Sequence, residues 1–401
     1  MKKKICMVLL RHSALDDRIY YKETRTLKNA GYDVHIICRL QNNAFTDMGG
    51  NPVGYPDSNG NWEYNGVTFH GIKKRKGLIG KWREYKDIVN LGCFLKADIY
   101  HCHESDIALN ASIKIKKLNK NSKLIYDIHE FGTGKMPNLI TNDIKNIILY
   151  LFTYRMKNAI KYCDYIITAN DVVRARSLIY NRFKLVDIIS NVPNLTIFNE
   201  EGVKETNSSI ILCHEGSLSF NRGLKEMISL IEEQKYNLKL KIIGDIRGDE
   251  KKWLDEKIHN NPSLIKSIYI TEWLPYEKVG AAIEECDIGL ILFYPTINNM
   301  LAGPPNKLFN YMRYGLPIVT VDLPETRMVI RKYGCGLIVK NWDINTFIQS
   351  VKYLIDNPSE AKAMGQRGKE AIINELSWQK QGEKLLKIYD ELLNPQPFII
   401  A

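Results

Sequence analysis

Short apolar runs alternate with helical patterns along the first half of the chain. The runs that predict strands are Ile5–Leu10, Val34–Cys38, Asp98–His103, Leu124–Ile128 and Tyr165–Ala169. Helical patterns fall between them, over Arg18–Ala30, Ile107–Leu118 and Ile144–Lys161. The turn-rich stretch Thr46–Gly66 predicts a long loop or a hairpin insert. Because alternating strands and helices are typical of a parallel, doubly wound sheet, this half is predicted to be an α/β domain.

A second alternation of the same kind follows a polar break near Asn191–Ser208. It predicts strands at Ile210–Cys213, Leu238–Ile243, Ile268–Ile270 and Ile288–Leu292, and helices at Leu224–Glu233, Lys251–His259 and Tyr276–Ala282. We therefore expect an N-terminal domain over 1–193, a linker over 194–208, a C-terminal domain over 209–375, and a helix in 376–401 that packs back toward the first domain. A ligand cleft is expected between the halves, at the carboxyl ends of the strands.

The segment from Pro304 to Val319 carries the clearest local signal. It predicts a rigid turn, a short helix, a glycine stop and an apolar strand. Asn306 is expected to cap the start of this helix, and Gly315 to end it in a left-handed conformation. The unpaired N–H groups of a helix start attract anions, so a phosphate group is the expected guest. An ordinary helix-to-strand connection would show the same pattern.

A second candidate anion site is Glu215–Gly223, between the first strand and the first helix of the second half. Gly216 and Ser217 supply a polar turn, and Arg222 supplies a cation near the helix start. The segment contains neither G-x-G-x-x-G nor a GK[ST] sequence, which argues against a dinucleotide fingerprint and a Walker loop. The alternative is that Arg222 is a solvated residue on a surface turn.

Composition narrows the kinds of partner and compartment. The 401 residues carry a formal net charge of +11 with a pI near 9.0, which favours nucleic acid, anionic lipid or a phosphorylated substrate. We do not expect nucleic acid, because no DNA- or RNA-binding module is recognised and the charge is spread over both halves. The eight cysteines form no Cys-x-x-Cys pair, which predicts reduced core thiols in a cytosolic protein. No apolar stretch reaches the roughly 18 residues of a membrane span, so we expect a soluble or peripheral protein.

These segments, in this order, resemble the GT-B glycosyltransferases of glycosyltransferase family 4. In the second half the resemblance rests on Glu215–Gly223, on Ile242–Asp245 and on the run Pro305-x-Lys307-x-x-x-Tyr311-Met312-x-x-Gly315-x-Pro317-x-Val319. In the first half and at the end of the chain it rests on Asp17–Ile19, Lys22–Glu23, Asp98–Glu104, Tyr126–Glu130 and Ser377–Trp378. The resemblance implies two doubly wound Rossmann-like domains that face each other across a cleft. It also implies a retaining, hexosyltransferase-type enzyme (EC 2.4 class) of surface polysaccharide or glycolipid synthesis.

By the same resemblance the second half would bind a nucleotide-sugar donor, either a UDP-sugar or a GDP-sugar. Arg222 and Lys307 would contact its diphosphate, and His103 would lie near the donor sugar. His101 points to the same side of its strand as His103, so either histidine fits that role. The remaining positions that match donor-binding residues of the family are Gly216, Ser217, Gly244, Asp245, Trp273, Leu274, Gly303, Pro304, Pro305, Asn306 and Asn310.

Three positions depart from the family pattern. Ala302 and Asn310 stand where family members often carry carboxylates, and Ser217 stands where a second phosphate cation is common. Asn310 still offers an amide oxygen to a ribose hydroxyl, but without the strength of an ionised acceptor. The chain contains no Asp-x-Asp motif, so no metal cofactor is expected. The leaving diphosphate is instead expected to be stabilised by Arg222, Lys307 and backbone N–H groups.

The segment Lys73–Lys86 suggests where an acceptor could be met. It holds seven cations in fourteen residues, with Trp82 and Tyr85 among them. Such a segment is either a solvated helix start or a contact for an anionic membrane surface. The second reading suits a cytoplasmic enzyme on the inner face of the membrane, with a saccharide or a polyprenyl-diphosphate-linked acceptor.

Two other functions remain open at this point. A sugar-nucleotide 2-epimerase would share the two-domain fold, but it needs acid and base groups in the cleft and no acceptor site. A non-catalytic sugar-nucleotide-binding subunit would explain the missing carboxylates at 302 and 310.

Overall fold

The computed structural model describes residues 2–103, 107–129, 154, 157–180, 185–195, 209–233, 236–296, 299–300, 303–340 and 342–395. These residues form two compact units: unit 1 is Met1–Asn191 with Gln381–Ala401, and unit 2 is Val192–Lys380. Most of the predicted helix over Ile144–Lys161, the predicted linker from 196 onward, and Ala302 lie outside the described residues.

Unit 1 is built on an eight-stranded sheet in the order β10-β9-β8-β7-β1-β2-β6-β5. Its strands are β1 (Lys4–Val8), β2 (Asp33–Leu40), β5 (Asn61–Tyr64), β6 (Val67–Lys73), β7 (Ile99–Cys102), β8 (Lys123–Ile128), β9 (Tyr165–Thr168) and β10 (Val186–Ile188). All neighbours pair in parallel except β5 and β6, which form an antiparallel hairpin. A separate two-stranded ribbon joins β3 (Phe45–Thr46) to β4 (Pro52–Gly54). The hairpin alternative for Thr46–Gly66 is therefore confirmed.

The helices of unit 1 follow its strands. They are α1 (Arg25–Asn29), α2 (Gly77–Leu95), α3 (Ile107–Leu118) and α4 (Asp171–Tyr180). The aliphatic side chains of the parallel strands pack against these helices in one core that includes Val8, Ile37 and Ile115. None of the eight cysteines is in a disulfide, and seven of them are buried, as predicted for core thiols.

The first helix differs from its prediction. The sequence predicted one helix over Arg18–Ala30, but Asp17–Thr24 is a π-helix, and only Arg25–Asn29 is α-helical. The Asp16 carboxylate accepts from the backbone N–H groups of Arg18 and Ile19, and the Tyr21 N–H reaches back five residues to the Asp16 carbonyl. This wider turn brings residues five apart onto one side of the helix.

Unit 2 contains a six-stranded parallel sheet in the order β13-β12-β11-β14-β15-β16. Its strands are β11 (Ile210–Glu215), β12 (Leu238–Ile243), β13 (Ile268–Ile270), β14 (Ile288–Ile291), β15 (Ile318–Val321) and β16 (Gly336–Val339). Its helices are α5 (Leu224–Glu232), α6 (Gly248–Asn260), α7 (Tyr276–Glu284), α8 (Asn306–Arg313), α9 (Pro324–Tyr333), α10 (Ile344–Asp356) and α11 (Pro358–Asn374). Buried clusters that contain Leu240 and Ile318 attach these helices to the sheet. The predicted α/β class with doubly wound parallel sheets is confirmed in both units.

Helix α8 ends as the sequence predicts but begins differently. Gly315 has φ +68°, and the N–H groups of Gly315 and Leu316 return to the carbonyls of Met312 and Tyr311, as in a Schellman end. At the other end Pro305, not Asn306, holds the cap position, and no side chain caps the helix there. Proline fixes the extended entry to the helix, so Asn306 becomes its first helical residue.

The last helix, α12 (Trp378–Leu393), contributes to both units. Within unit 2 the Trp378 N–H donates to the Pro193 carbonyl over 2.8 Å. Within unit 1 the Gln381 side chain accepts from the Ser190 N–H over 3.0 Å, and Tyr389 is fully buried. No helix among the described residues is both long and apolar enough to cross a bilayer.

Candidate functional site

Two tight turns meet at the carboxyl ends of β11 and β12. Gly216 and Ser217 leave β11, and Gly244 and Asp245 leave β12. The Gly216 N–H donates to the Ile243 carbonyl over 2.8 Å, which holds the turns side by side. A Cβ on Gly244, where φ is +146°, would lie 2.5 Å from the Gly216 carbonyl oxygen. Glycine at 244 is therefore required by this close backbone approach.

Asp245 fixes the second of these turns. Its carboxylate accepts a 2.5 Å hydrogen bond from the Ser217 hydroxyl and pairs with Arg247. Burial acts to raise the pKa of Asp245, but the Ser217 hydrogen bond and the Arg247 charge hold that pKa below its usual value. The two turns are therefore joined by a charge-assisted hydrogen bond as well as by backbone contacts.

Lys307, in the first turn of α8, points into the protein. The residue is 7% exposed, its Nζ lies 3.2 Å from His214 Nε2, and it lies 5.2 Å from the centre of the Phe293 ring. Burial, together with the nearby Arg222 charge, lowers the pKa of Lys307 to about 7, although Glu215 acts in the opposite direction. Burial and Lys307 also hold the pKa of His214 well below its usual value.

Arg222 approaches the same place from the β11 turn. It ends a short 3-10 helix, Phe220–Arg222, and its Nη1 donates to the Ser217 carbonyl over 2.8 Å. Its guanidinium carbon lies 5.6 Å from the centre of the Phe293 ring. Lys307 Nζ lies 5.2 Å from the centre of the same ring. The structure thus brings together two cations that the sequence places 85 positions apart (307 − 222 = 85).

Asn310 is held by a residue that the sequence analysis did not single out. Its Nδ2 donates to both carboxylate oxygens of Glu215, at 2.9 and 3.0 Å. Glu215 is the last residue of β11. In the sequence, only its place at a strand end before a glycine turn indicated that it could belong to the site. A carboxylate is therefore present beside Asn310, but it comes from a different element.

The other predicted donor-site residues lie on the same edge of the sheet. Trp273 and Leu274 follow β13, whose neighbour is β12, and the Thr271 N–H donates to the Ile242 carbonyl over 3.0 Å. Residues Gly303, Pro304 and Pro305 form the irregular, partly buried approach to α8. All of the predicted residues of unit 2 thus lie at the carboxyl ends of strands or at the start of α8.

His103 lies in unit 1, directly after β7, and its side chain has no exposed surface. The rings of His101 and His103 are 4.3 Å apart, as expected for two side chains on one face of a strand. Burial lowers the pKa of both histidines, that of His101 to about 3. Nothing in this geometry exposes His103 to a donor sugar, so the role implied by the resemblance stays a prediction.

Arg18 and two carboxylates, Glu23 and Asp127, surround these histidines. Arg18 Nη2 is 2.7 Å from Asp127 Oδ2, and Arg18 Nε is 2.9 Å from Glu23 Oε1. Burial acts to raise the pKa of both acids. For Asp127 the Arg18 charge prevails, and its pKa lies well below the usual range, whereas that of Glu23 lies well above it. These side chains appeared in the sequence only as parts of family-like segments without assigned roles.

Part of the chain is similar to a known protein family. Residues 197–371 match the family model described as Glycosyl transferases group 1. The capsular polysaccharide biosynthesis glycosyltransferase CapM of Staphylococcus aureus is 20% identical over 198 residues, which cover 47% of this chain and 48% of CapM. The match thus spans about half the length of that relative.

Solved structures resemble the chain over nearly its whole length. Sucrose-phosphate synthase from Thermosynechococcus elongatus superposes with a TM-score of 0.72 at 13% identity, covering 98% of this chain and 99% of that one. HepE from Anabaena in complex with UDP-glucose superposes with a TM-score of 0.71 at 11% identity, covering 97% and 99%. The chain therefore has the GT-B fold, with two Rossmann-like units, and residues 197–371 match the group 1 glycosyl transferase model.

Proposed function

We propose that this chain is a glycosyltransferase that transfers a sugar from a nucleotide-sugar, either a UDP-sugar or a GDP-sugar. One observation carries the proposal: Arg222 and the buried Lys307 converge on the Phe293 ring, beside the glycine turns of the group 1 domain. Two cations and backbone N–H groups in one corner suit a diphosphate. The UDP-glucose bound in HepE, a protein of the same fold, agrees with a nucleotide-sugar donor.

The chemistry follows from this arrangement of charge. Departure of a nucleoside diphosphate places negative charge on its phosphate oxygens. Arg222 and Lys307 are already positioned to stabilise that charge, so the reaction does not have to wait for solvent to reorganise. A leaving phosphate oxygen then takes the proton of the incoming hydroxyl on the same face of the sugar, which retains the anomeric configuration. We therefore propose that the chain is a retaining, hexosyltransferase-type enzyme of glycosyltransferase family 4.

For the acceptor we propose a saccharide or lipid-linked saccharide of surface polysaccharide synthesis. Similarity to a capsular polysaccharide glycosyltransferase supports this class. Such acceptors are carried on polyprenyl diphosphates at the inner face of the cell membrane, so the enzyme would work in the cytoplasm as a peripheral membrane protein.

The start of α2 has the surface that such a location requires. Leu78, Ile79 and Trp82 are 87%, 72% and 54% exposed, and exposed lysines and arginines flank them. The two acids of α2 are already paired: Glu84 with Arg39 over 2.7 Å, and Asp87 with Arg75 over 2.5 Å. The outward face is therefore apolar and cationic, which suits an anionic lipid surface.

Replacing Arg222 with alanine tests the diphosphate role. We expect Arg222→Ala to reduce sugar transfer by about 100-fold or more, since one electrostatic donor at a developing charge contributes on that scale. The melting temperature should stay unchanged. Arg327→Ala, which removes a partly buried arginine paired with Asp322 in the same unit, is the matched control.

Product analysis of the same reactions separates the alternatives to transfer. Wild-type protein given a nucleotide-sugar without acceptor should release little product, and should form a glycoside when acceptor is added. Formation of an epimer without acceptor, or binding without turnover across a panel of acceptors, would contradict transfer. Full activity of Arg222→Ala would remove the diphosphate role.

Glu215 and Asn310 are proposed to hold the donor ribose as a pair, with Glu215 supplying the ionised acceptor. Glu215→Gln keeps the shape and the hydrogen bond to Asn310 but loses the charge. It should weaken donor binding about tenfold in calorimetric titrations, because hydrogen bonds to charged groups are stronger by roughly 1–1.5 kcal/mol.

The exchange Glu215→Gln with Asn310→Asp moves the carboxylate to position 310 and is the control for this pair. Donor affinity should return toward the wild-type value in this double variant. Equal affinity of the wild type and Glu215→Gln, at equal melting temperatures, would show that Glu215 does not contact the donor.

Donor affinity should depend on pH through Lys307. Its pKa is about 7 without ligand, and a bound diphosphate raises that pKa, so binding takes up a proton. Affinity is therefore greatest below this pKa and falls as pH rises through it, by at most about tenfold per pH unit. Titrations with a nucleotide-sugar between about pH 6 and 8.5 measure this slope, since the diphosphate diester keeps its charge over that range.

The Lys307→Met variant should bind the donor weakly, and its donor affinity should not change with pH over this range. Lys266→Met, at an exposed position of unit 2, should keep the slope. A wild-type affinity that stays constant over the range would contradict the role of Lys307.

Membrane contact through α2 is tested by co-sedimentation with vesicles. The protein should bind vesicles that contain phosphatidylglycerol several-fold better than vesicles of phosphatidylcholine alone. Ile79→Ser with Trp82→Ser should remove most of this binding. Phe94→Ser, also at an exposed apolar side chain (82%), lies about 18 Å farther along the same helix and should have no effect. Equal binding to both vesicle types would contradict the proposal.

A further inference from the structure

Four buried side chains of unit 1 converge where β7 and β8 end. They are Glu23, His101, His103 and Asp127, and each offers one ligand atom within 4.8 Å of the ligand atoms of the others. We propose that these four residues form a closed site for one divalent first-row transition metal ion, such as Zn²⁺ or Mn²⁺. The inference concerns unit 1 alone and does not depend on the proposed donor site.

Unsatisfied polar atoms point to an occupant. His101 Nε2, His103 Nε2, Glu23 Oε2 and Asp127 Oδ1 are all buried and have no hydrogen-bond partner. Each residue is at most 3% exposed. An unsatisfied buried polar atom costs about 1–3 kcal/mol, and native proteins contain few of them. Four such atoms on four neighbouring side chains are better explained by a shared ion than by four independent penalties.

The histidines are oriented as metal ligands usually are. His101 Nδ1 lies 2.8 Å from the Tyr389 hydroxyl, and His103 Nδ1 lies 3.3 Å from His129 Nε2. When Nδ1 carries the proton and donates it to such a neighbour, the lone pair of Nε2 is free for a metal. Both rings therefore have an occupied Nδ1 and an unoccupied Nε2.

The charged groups around the cluster have a net negative charge that a divalent cation would balance. With Glu23 ionised by a bound metal, Asp16, Glu23 and Asp127 contribute three negative charges, and Arg18 contributes one positive charge. Arg18 is 2.9 Å from Glu23 and 2.7 Å from Asp127, and its backbone N–H donates to the Asp16 carboxylate as a cap. The neighbouring Asp17 is neutralised by Lys22 over 2.8 Å. With neutral histidines the net charge is −2 (1 − 3 = −2), which a divalent cation cancels.

The distances between the ligand atoms and the types of ligand limit which metal ions fit the site. The four ligand atoms lie within 4.8 Å of one another, and His103 Nε2 is 3.8 Å from Glu23 Oε2. Metal–ligand bonds of about 2.0–2.2 Å place neighbouring ligand atoms roughly 3–4 Å apart. Two imidazoles with two carboxylates suit Zn²⁺ or Mn²⁺ better than Mg²⁺ or Ca²⁺, which prefer oxygen alone. A buried set of four protein ligands is typical of a structural ion, which here would tie Asp17–Thr24 to β7 and β8.

Elemental analysis of the purified full chain tests the site. We expect about one transition-metal ion per chain after desalting, as for a closed structural site. Glu23→Gln and His103→Gln should each lower the metal content at least tenfold. His70→Gln is the matched control, since His70 is also buried in unit 1 but pairs with His35 and Asn61. A strong chelator should lower the melting temperature of the wild type, and added Zn²⁺ should restore it.

Three results would overturn the proposal. Wild-type protein without metal, and with a melting temperature that neither chelator nor Zn²⁺ changes, would mean that Glu23 is instead a buried neutral acid. Full metal content in Glu23→Gln and His103→Gln would place the ion elsewhere. If those variants do not fold, X-ray absorption of the wild type decides: nitrogen and oxygen ligands with imidazole scattering support the site, and a sulfur ligand contradicts it.

Discussion

Desolvation of the Lys307 ammonium is the constraint on which the rest of unit 2 depends. A buried lysine is unfavourable unless an anion or an acceptor compensates it, and its hydrogen-bonding neighbour here is the His214 imidazole. Arg222, close to the same aromatic ring, adds a second positive charge. Buried Leu308, Tyr311 and Met312 and the left-handed end at Gly315 anchor α8, which holds Lys307 in this position. Binding of a polyanion beside Lys307 and Arg222 would compensate this cost most effectively.

Backbone geometry makes that corner possible. Gly216 and Gly244 allow two strand-end turns to touch, and Ser217 and Asp245 fasten them. Gly216 and Gly244 carry no side chains at this surface, so a phosphate could approach the main chain closely. Glu215, at a neighbouring strand end, places a carboxylate beside Asn310.

The sequence predicted most strands of both sheets and the edge of the sheet at which the candidate site lies, because parallel strands buried on both faces leave long apolar runs. It did not predict β6 or β10. It also predicted the left-handed end at Gly315. It could not reveal the π-helix at Asp17–Thr24, which depends on where the Asp16 carbonyl finds its donors rather than on any periodicity. Nor could it show that Glu215 holds Asn310, or that Glu23 lies beside His103. Those pairs are contacts between distant segments, and residue type alone does not specify them.

Unit 2 is proposed to bind its donor mainly through the diphosphate, with smaller contributions from the base and the sugar. Calorimetric titration of the protein with a nucleoside, its diphosphate and the corresponding nucleotide-sugar, in the uridine and guanosine series, measures these contributions. In one series we expect the diphosphate and the nucleotide-sugar to bind at least about 100-fold more tightly than the nucleoside, a difference of about 2.7 kcal/mol. Equal affinities for nucleoside and diphosphate in both series would contradict it.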